Sequence, residues 1–472
     1  MQYPSDFLNQ MKTLLKSDYE EFEKALNDTG KSGIRVNESK ISVDDFIKIA
    51  PYTITRIPFV SNGFYINEND KWSKHPYYYA GLYYIQEPSA MLPADRLPIC
   101  SQDAVLDLCA APGGKSTMLS TRDIKLLVSN DISFSRTIPL VKNLEIFGSC
   151  RSFVISEDPQ NLEKIFPEFF DKILVDAPCS GEGMFRKDDG LIKSYVDRGP
   201  DYYADIQKSV LKSAVRMLKD GGMLMYSTCT FSNLEDEEVI LDIIEEFPEI
   251  HTVSISQYEG FSGPYSKYSD NPEIENVVHV LPHKTEGEGH FLCLLKKVKK
   301  TANDIDSIYH PNSCSASKNI ICYDKLPESV KDFLNNYNDK ERFLQSSYML
   351  NKDGNIYILP EGYETILSCK LRFLRTGVLI GSINSKNGKF FPGTAMALAN
   401  EFGKFNNVLD LKCDDNNVIK YLKGETLVID NNSIKEPKAG FVQIRVDGFP
   451  LGFAKYDNSK YKNLYEKGWV MK

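Results

Sequence analysis

No apolar run in the chain approaches the ~20 consecutive residues that a helix needs to cross a bilayer. The N-terminal stretch MQYPSDFLNQMKTLLKSDYEEF interleaves charges with Phe7, Leu8, Met11, Leu14 and Leu15. That spacing predicts an amphipathic helix and excludes a secretory leader, whose centre would be continuously apolar. The ten cysteines include no Cys-x-x-Cys pair and no Cys/His cluster at metal-ligand spacing. Neither a disulfide scaffold nor a metal site is therefore expected, and the thiols are read as reduced in a cytoplasmic protein with no membrane partner. An excess of positive charge is also missing. With 56 Lys plus Arg against 65 Asp plus Glu, the net charge of −9 does not suit a chain that coats nucleic acid nonspecifically. Internal repeats and low-complexity blocks are absent, which excludes a solenoid.

What is present is ordinary for folded domains: 42% hydrophobic and 26% charged residues. A chain of 472 residues exceeds what one core holds and predicts about three units. Charge is uneven along it. From Gly381 to Lys472 there are 14 basic and 10 acidic side chains, a net of +4, so residues 1–380 carry −13 of the total −9. A mildly basic tail can meet phosphate, although +4 is also common on a solvated surface.

Between about 104 and 230 the chain alternates short apolar runs with helical patterns. AVLDL leads into a Gly-rich turn and a helix from Lys115; LLVSND, FVIS, DKILVDAP and GGMLMYSTC follow, with helices between them. Continuous apolar strands separated by helices predict an α/β, Rossmann-like doubly wound sheet, mostly parallel and covered on both faces. VVHVLPH and HFLCLLKK are expected to close it as an antiparallel edge, KKVKKTANDIDS to form a surface linker, and GNIYILP and KLRFLRTGVLIGSI to begin a β-rich tail. That tail includes GFVQIRVDGFPLGFAKYD, which turns at Asp447-Gly448.

In a doubly wound sheet ligands bind outside the carboxyl ends of the strands, so the first strand-to-helix turn is informative. Here it reads Asp107-Leu-Cys109-Ala110-Ala111-Pro112-Gly113-Gly114-Lys115. A triphosphate-binding loop would need a first glycine where Cys109 stands, and the G-x-G-x-x-G of dinucleotide enzymes is absent. Asp131, at the end of LLVSND, is suited to a ribose diol. A ribose-bearing ligand without a pyrophosphate, S-adenosylmethionine, fits best.

Two cysteines end neighbouring strands, Cys179 in Asp176-Ala-Pro-Cys and Cys229 in Ser227-Thr-Cys. An unpaired cysteine near a sheet end is usually just a small buried residue. Two on one rim, one of them preceded by Asp-Ala-Pro, suit a specific chemistry. Cytosine C5 accepts a methyl group only after a thiolate adds to C6, which needs a Cys nucleophile and a nearby carboxylate. The residues alone do not say which thiol attacks. The other cysteines have no such context and are assigned no role.

LDLCAAPGGKSTML, VDAPCSGEGMFRKD and YSTCTFSNLEDEEV together resemble the Sun-type RNA 5-methylcytosine methyltransferases, in particular the RsmF/YebU branch acting on small-subunit ribosomal RNA. HPYYYAGLYYIQEPSAMLPA is similar to the segment leading into that family's catalytic domain, LPHKTEGEGHFLCLLKK to its closing hairpin, and GFPLGFAKYDNSKYKNLYEKGW to its PUA-like RNA-binding domain. The likeness covers nearly the whole chain and is weak between about 300 and 380. It implies an N-terminal RNA-contacting extension at 1–95, a methyltransferase domain at 96–298, a linker and small middle domain at 299–384, and a PUA-like domain at 385–472. It implies Cys229 as nucleophile, Cys179 for product release, and Asp176 contacting both cofactor and base. Cys109 to Lys115 would form the S-adenosylmethionine loop and Asp131 would bind the ribose, with Arg136 lining the pocket and Asp158 near the adenine. The chain departs from the family pattern at His279, where relatives often carry Arg, and around Asp158.

The RNA partner implied is ribosomal RNA, within the small ribosomal subunit, methylated by a monomeric enzyme. Transfer RNA as substrate, or a noncatalytic RNA-binding assembly factor that keeps the fold, are the alternatives. His283 and His290 are read as structural or RNA-facing. Tyr461, Lys462, Tyr465, Lys467 and Trp469 are read evenly as an RNA-stacking set or as the core and rim of a small barrel.

Overall fold

The computed structural model describes residues 3–268, 270–298, 319–351, 353–429 and 437–472. The N-terminal helical spacing is realised in two helices, Ser5–Leu15 and Tyr19–Leu26, which bury Phe7, Met11, Leu15, Phe22 and Leu26. Repeats of four residues put these side chains on one face. That face packs on the catalytic domain: Phe7 meets Phe185 and Phe22 meets Phe231, edge to face at 5.3 and 5.4 Å between ring centres. Strands β1 (Ser32–Val36), β2 (Thr55–Arg56), β3 (Gly63–Ile66) and β4 (Tyr83–Gln86) then form an antiparallel sheet in the order β2-β3-β1-β4.

The central sheet carries β5 (Ala104–Asp107), β6 (Leu126–Asn130), β7 (Ser152–Ile155), β8 (Phe170–Asp176) and β9 (Leu218–Thr228), parallel in the order β7-β6-β5-β8-β9. Every residue of β5, β6 and β7 is buried, which is why they read as unbroken apolar runs. Strand order reverses beside β5, which opens a crevice at the carboxyl ends. Past β9 the sheet continues through β13 (His290–Lys297), antiparallel, to β12 (Val278–Val280) and β11 (Phe261–Ser262), while β10 (Ile250–Val253) also pairs with β13. The expected closing hairpin is thus present. Of the expected linker KKVKKTANDIDS, Lys296 and Lys297 are instead the end of β13, held by pairing with β9 and β10, and the part beyond Val298 lies outside the described residues.

A second small sheet runs β14 (Ile320–Cys322), β15 (Ser347–Leu350), β16 (Asn355–Ile358), β18 (Val378–Ile383) and β19 (Phe390–Pro392), so it crosses position 385. Its chain neighbour β17 (Phe373–Arg375) does something else. The segment KLRFLRTGVLIGSI, read as tail strands throughout, sends Phe373–Arg375 to the free edge of the central sheet, where Phe373 faces Ile155. An uncovered β7 would leave a row of backbone groups without partners, and this short strand supplies them. Buried Arg375 secures it by donating to the carbonyls of Ser149 and Ser152.

The C-terminal sheet is ordered β20 (Val408–Leu411), β22 (Gly440–Val446), β23 (Phe449–Asp457), β24 (Lys460–Asn463), β21 (Leu427–Val428). Its hairpin turns at Asp447 and Gly448, with φ of 47° and 87°. Both are left-handed, as a two-residue hairpin turn requires. The even choice over the tail aromatics resolves toward packing. Tyr461, Tyr465 and Trp469 are buried core residues, because a small sheet needs large rings to fill its interior, and Lys462 and Lys467 stay exposed.

Candidate active site

Beyond Asp107 the loop keeps borrowing sheet hydrogen bonds: Leu108 N–H donates to Leu174 O (2.9 Å) and Ala110 N–H to Asn130 O (2.7 Å). Gly113 turns the chain at φ 111°, and a Cβ there would lie 3.0 Å from Leu140 Cδ1. Only glycine suits both demands. The helix Gly114–Leu119 starts immediately after it. Asp131, just past β6, and Arg136, on the helix Phe134–Ile146, brace the loop: Ala111 N–H donates to Asp131 Oδ2 (3.3 Å), and Arg136 Nη2 donates to Ala111 O (2.8 Å). Asn143 Nδ2 reaches Pro112 O (2.8 Å). Asp158, three residues past β7, caps the helix Pro159–Ile165 by accepting from Gln160 N–H (2.7 Å).

Beneath the loop Asp107 is fully buried and accepts from Ser116 Oγ (2.6 Å), while its other oxygen has no partner among the described residues. Burial pushes its carboxyl up to about 7. Burial likewise pushes the half-buried Cys109 thiol up. A side-chain-free glycine turn, a carboxylate at the end of β6 and a spare buried oxygen under the loop fit S-adenosylmethionine. They offer no cradle of cations for phosphate.

On the other side of the crevice, β8 and β9 run in register from Ile173/Leu224 to Asp176/Ser227, and Ala177 N–H still donates to Ser227 O (2.9 Å). Both chains then leave the sheet side by side. This brings Cys179 Sγ and Cys229 Sγ to 3.3 Å, with both residues partly accessible. Their hydrogen bond, together with burial, holds the Cys179 thiol well above the usual range, so at neutral pH it keeps its proton.

Asp176 receives Lys115 Nζ (2.7 Å) on one oxygen and Ser227 Oγ (2.9 Å) and His290 Nε2 (3.4 Å) on the other. Burial opposes its charge, but Lys115 and His290 outweigh burial and keep the carboxyl well below the ordinary range. Asp176 is therefore an acceptor with no proton to give. His290, read as structural or RNA-facing, is buried against Asp176 and so does not face RNA. Because β13 pairs with β9, Phe291 opposite Thr228, its first residue arrives at the rim. His283 sits edge to face against Phe22 at 5.9 Å and makes no hydrogen bond to Asp176 or either thiol. His279 is buried and bonded to Glu237 Oε1 (2.9 Å).

Sequence reasoning also missed Ser227 and Arg35. The only signal for Arg35 was a charge inside the apolar strand SGIRV. It is buried and donates to Gly114 O (3.0 Å) and Thr117 Oγ1 (2.9 Å), so the N-terminal domain grips the helix that follows the loop.

Comparison with known proteins identifies the family. Residues 96–296 match the family model described as 16S rRNA methyltransferase RsmB/F. Residues 3–88 match the N-terminal domain of 16S rRNA methyltransferase RsmF, and 408–471 the methyltransferase RsmF PUA domain. The chain is 30% identical to ribosomal RNA small subunit methyltransferase F of Vibrio parahaemolyticus, across 98% of this chain and 96% of that one. It is also 30% identical to the protein of the same name from an Escherichia coli O139:H28 strain, across 99% and 96%. Among solved structures, a methyltransferase homolog protein from Pyrococcus horikoshii aligns with 27% identity and a TM-score of 0.54, over 63% of this chain and 96% of that one. NSun6 from the same organism, solved with SFG, shares the fold at 20% identity and a TM-score of 0.52, over 63% and 99%.

Proposed function

The chain belongs to the 16S rRNA methyltransferase RsmB/F family, and we propose that it transfers a methyl group from S-adenosylmethionine to C5 of a cytosine in small-subunit ribosomal RNA through a covalent Cys229–C6 adduct. The observation that carries this reading is the pair of thiols 3.3 Å apart, next to an ionised Asp176 joined to Lys115 of the cofactor loop. Cys109 to Lys115, Asp131, Arg136 and Asp158 would hold the cofactor, which when bound supplies an electrophilic methyl group.

The chain's own residues do the rest. Cys229 adds to C6, and the electrons of the C5=C6 bond become available to C5. Asp176 accepts a hydrogen bond from the exocyclic amino group and orients the ring beside Lys115 and His290. After methylation, Cys179 passes its proton to the departing Cys229 sulfur as the C6–S bond breaks, and the C5 proton restores the Cys179 thiol. Cys229 then loses one proton to solvent, which is the proton the overall reaction releases. The target cytosine must leave any stacked or paired state to reach these groups.

The test incubates the wild type, Cys229→Ala and Cys179→Ala with labelled S-adenosylmethionine and either small ribosomal subunits or total transfer RNA. Label is expected as 5-methylcytosine in ribosomal RNA, lost in Cys229→Ala, with Cys179→Ala retaining a protein–RNA adduct on a denaturing gel. Label confined to transfer RNA, or binding without any transfer, would overturn the reading.

A further inference from the structure

Strand pairing brings the two catalytic segments together only as far as Ala177 and Ser227, after which neither cysteine has a sheet partner. Something else must set the sulfur-to-sulfur distance. Outside the sheet Gly183 N–H donates to Cys229 O (2.9 Å), and Glu182 Oε2 accepts from Phe231 N–H (2.9 Å), so the outer parts of the two loops are joined. The residues immediately after each cysteine are joined differently, through a third element.

Glu235 lies just before the helix Glu237–Glu246 and is fully buried. Its Oε2 accepts from Ser180 N–H (2.9 Å), the residue following Cys179, and its Oε1 accepts from Thr230 Oγ1 (3.4 Å), the residue following Cys229. The two hydroxyls, Ser180 Oγ and Thr230 Oγ1, lie 2.8 Å apart and close the ring. Gln207 completes it from the long helix Asp189–Met217, with Nε2 donating both to Glu235 Oε2 (2.8 Å) and to Pro178 O (2.9 Å), the residue preceding Cys179. The residues flanking Cys179 on both sides and the one following Cys229 therefore converge on one carboxylate that touches neither sulfur nor the crevice.

We infer that Glu235 is a positioning residue that sets the spacing of the two catalytic thiols by tying the Cys179 segment to the Cys229 segment from behind. This rests on the functional reading above for the roles of the thiols, but the geometry it asserts can be read without RNA or cofactor. A thiol pair already in contact closes to a disulfide under a mild oxidant at a rate that depends on how well the sulfurs are held together. Diamide takes up the two electrons and two protons. An ångström of misplacement in a reacting pair costs about 100-fold in rate, so the readout is sensitive.

Wild type, Glu235→Ala, Glu235→Gln and Thr230→Val are treated with diamide in the absence of ligands, and the Cys179–Cys229 cross-link is followed by peptide mass spectrometry. Methylation kinetics are measured alongside. Glu235→Ala is expected to slow closure by about tenfold or more and to lower kcat by about 100-fold, with KM for S-adenosylmethionine little changed. Glu235→Gln should recover most of both rates. Its carbonyl can still accept from Ser180 and Gln207, and its amide can donate to Thr230 Oγ1. Thr230→Val cuts one arm while keeping the shape, and is expected to slow closure several-fold; it carries the test if Glu235→Ala does not fold. Unchanged closure in Glu235→Ala, or in Thr230→Val where that variant carries the test, overturns the inference. Methylation surviving in Cys229→Ala would instead overturn the functional reading and leave the comparison of closure rates standing.

Discussion

Replacing Lys115 with Met would leave Asp176 beside only Ser227 and His290. The wild-type carboxyl lies below its ordinary range, so it is ionised through the whole neutral region and loses charge only in strong acid. Without the ammonium, burial dominates, and the acid limb of the kcat profile is expected to move up by about one pH unit or more. A limb that stays in place would show that Lys115 does not control this charge. Glu182 and Glu235 behave in the opposite sense. Burial raises them to about 8 and about 7, so the folded state binds more protons than the unfolded one. The stability this linkage contributes is full below their unfolded values and is lost as pH rises through 7 to 8. Thermal midpoints of a Glu182→Gln, Glu235→Gln double variant should therefore fall less between pH 6 and pH 9 than those of the wild type; parallel profiles would refute this. Cys179, Cys229, Asp176 and Lys115 could be picked from the sequence because each sits in a short motif. His290 could not, since its partner Asp176 is 114 positions away and only strand pairing joins them.

Elements show the same division. The five parallel strands were legible because burial on both faces leaves a continuous apolar signature. Strand β17 was not, because three residues carry little periodicity and their place is decided by the need to cover β7. Strand β1 delivers Arg35 to the helix of the cofactor loop, and burial lowers that guanidinium to about 10, still charged at neutral pH. Arg35→Ala removes three hydrogen bonds from a charged donor, to Gln86, Gly114 and Thr117, each worth about 1.5–3 kcal/mol. It should lower stability by at least that of one bond and weaken S-adenosylmethionine binding about tenfold by calorimetry. Unchanged cofactor affinity would mean that the loop holds its shape without the N-terminal domain.

At the scale of the molecule, the first and last domains meet. Tyr77 donates to Asp447 Oδ2 (3.0 Å) and packs on Phe449, and the two domains share one apolar cluster. The chain thus brings both flanking domains to one catalytic body without a second copy, and light scattering is expected to give 53.6 kDa rather than twice that mass. Among the described residues no helix is long and apolar enough to cross a membrane. Local order along the chain determined the alternation of strands and helices, the glycine turn, the hairpin at Asp447-Gly448 and the two cysteine motifs, because propensity, periodicity and backbone freedom act over a few residues. Only the tertiary structure decided the 3.3 Å between the thiols, the charge on Asp176, the burial of the tail aromatics and the grip of Arg35 on the loop. Each of these depends on groups far apart in sequence, whose distance and desolvation exist only once the sheets have packed.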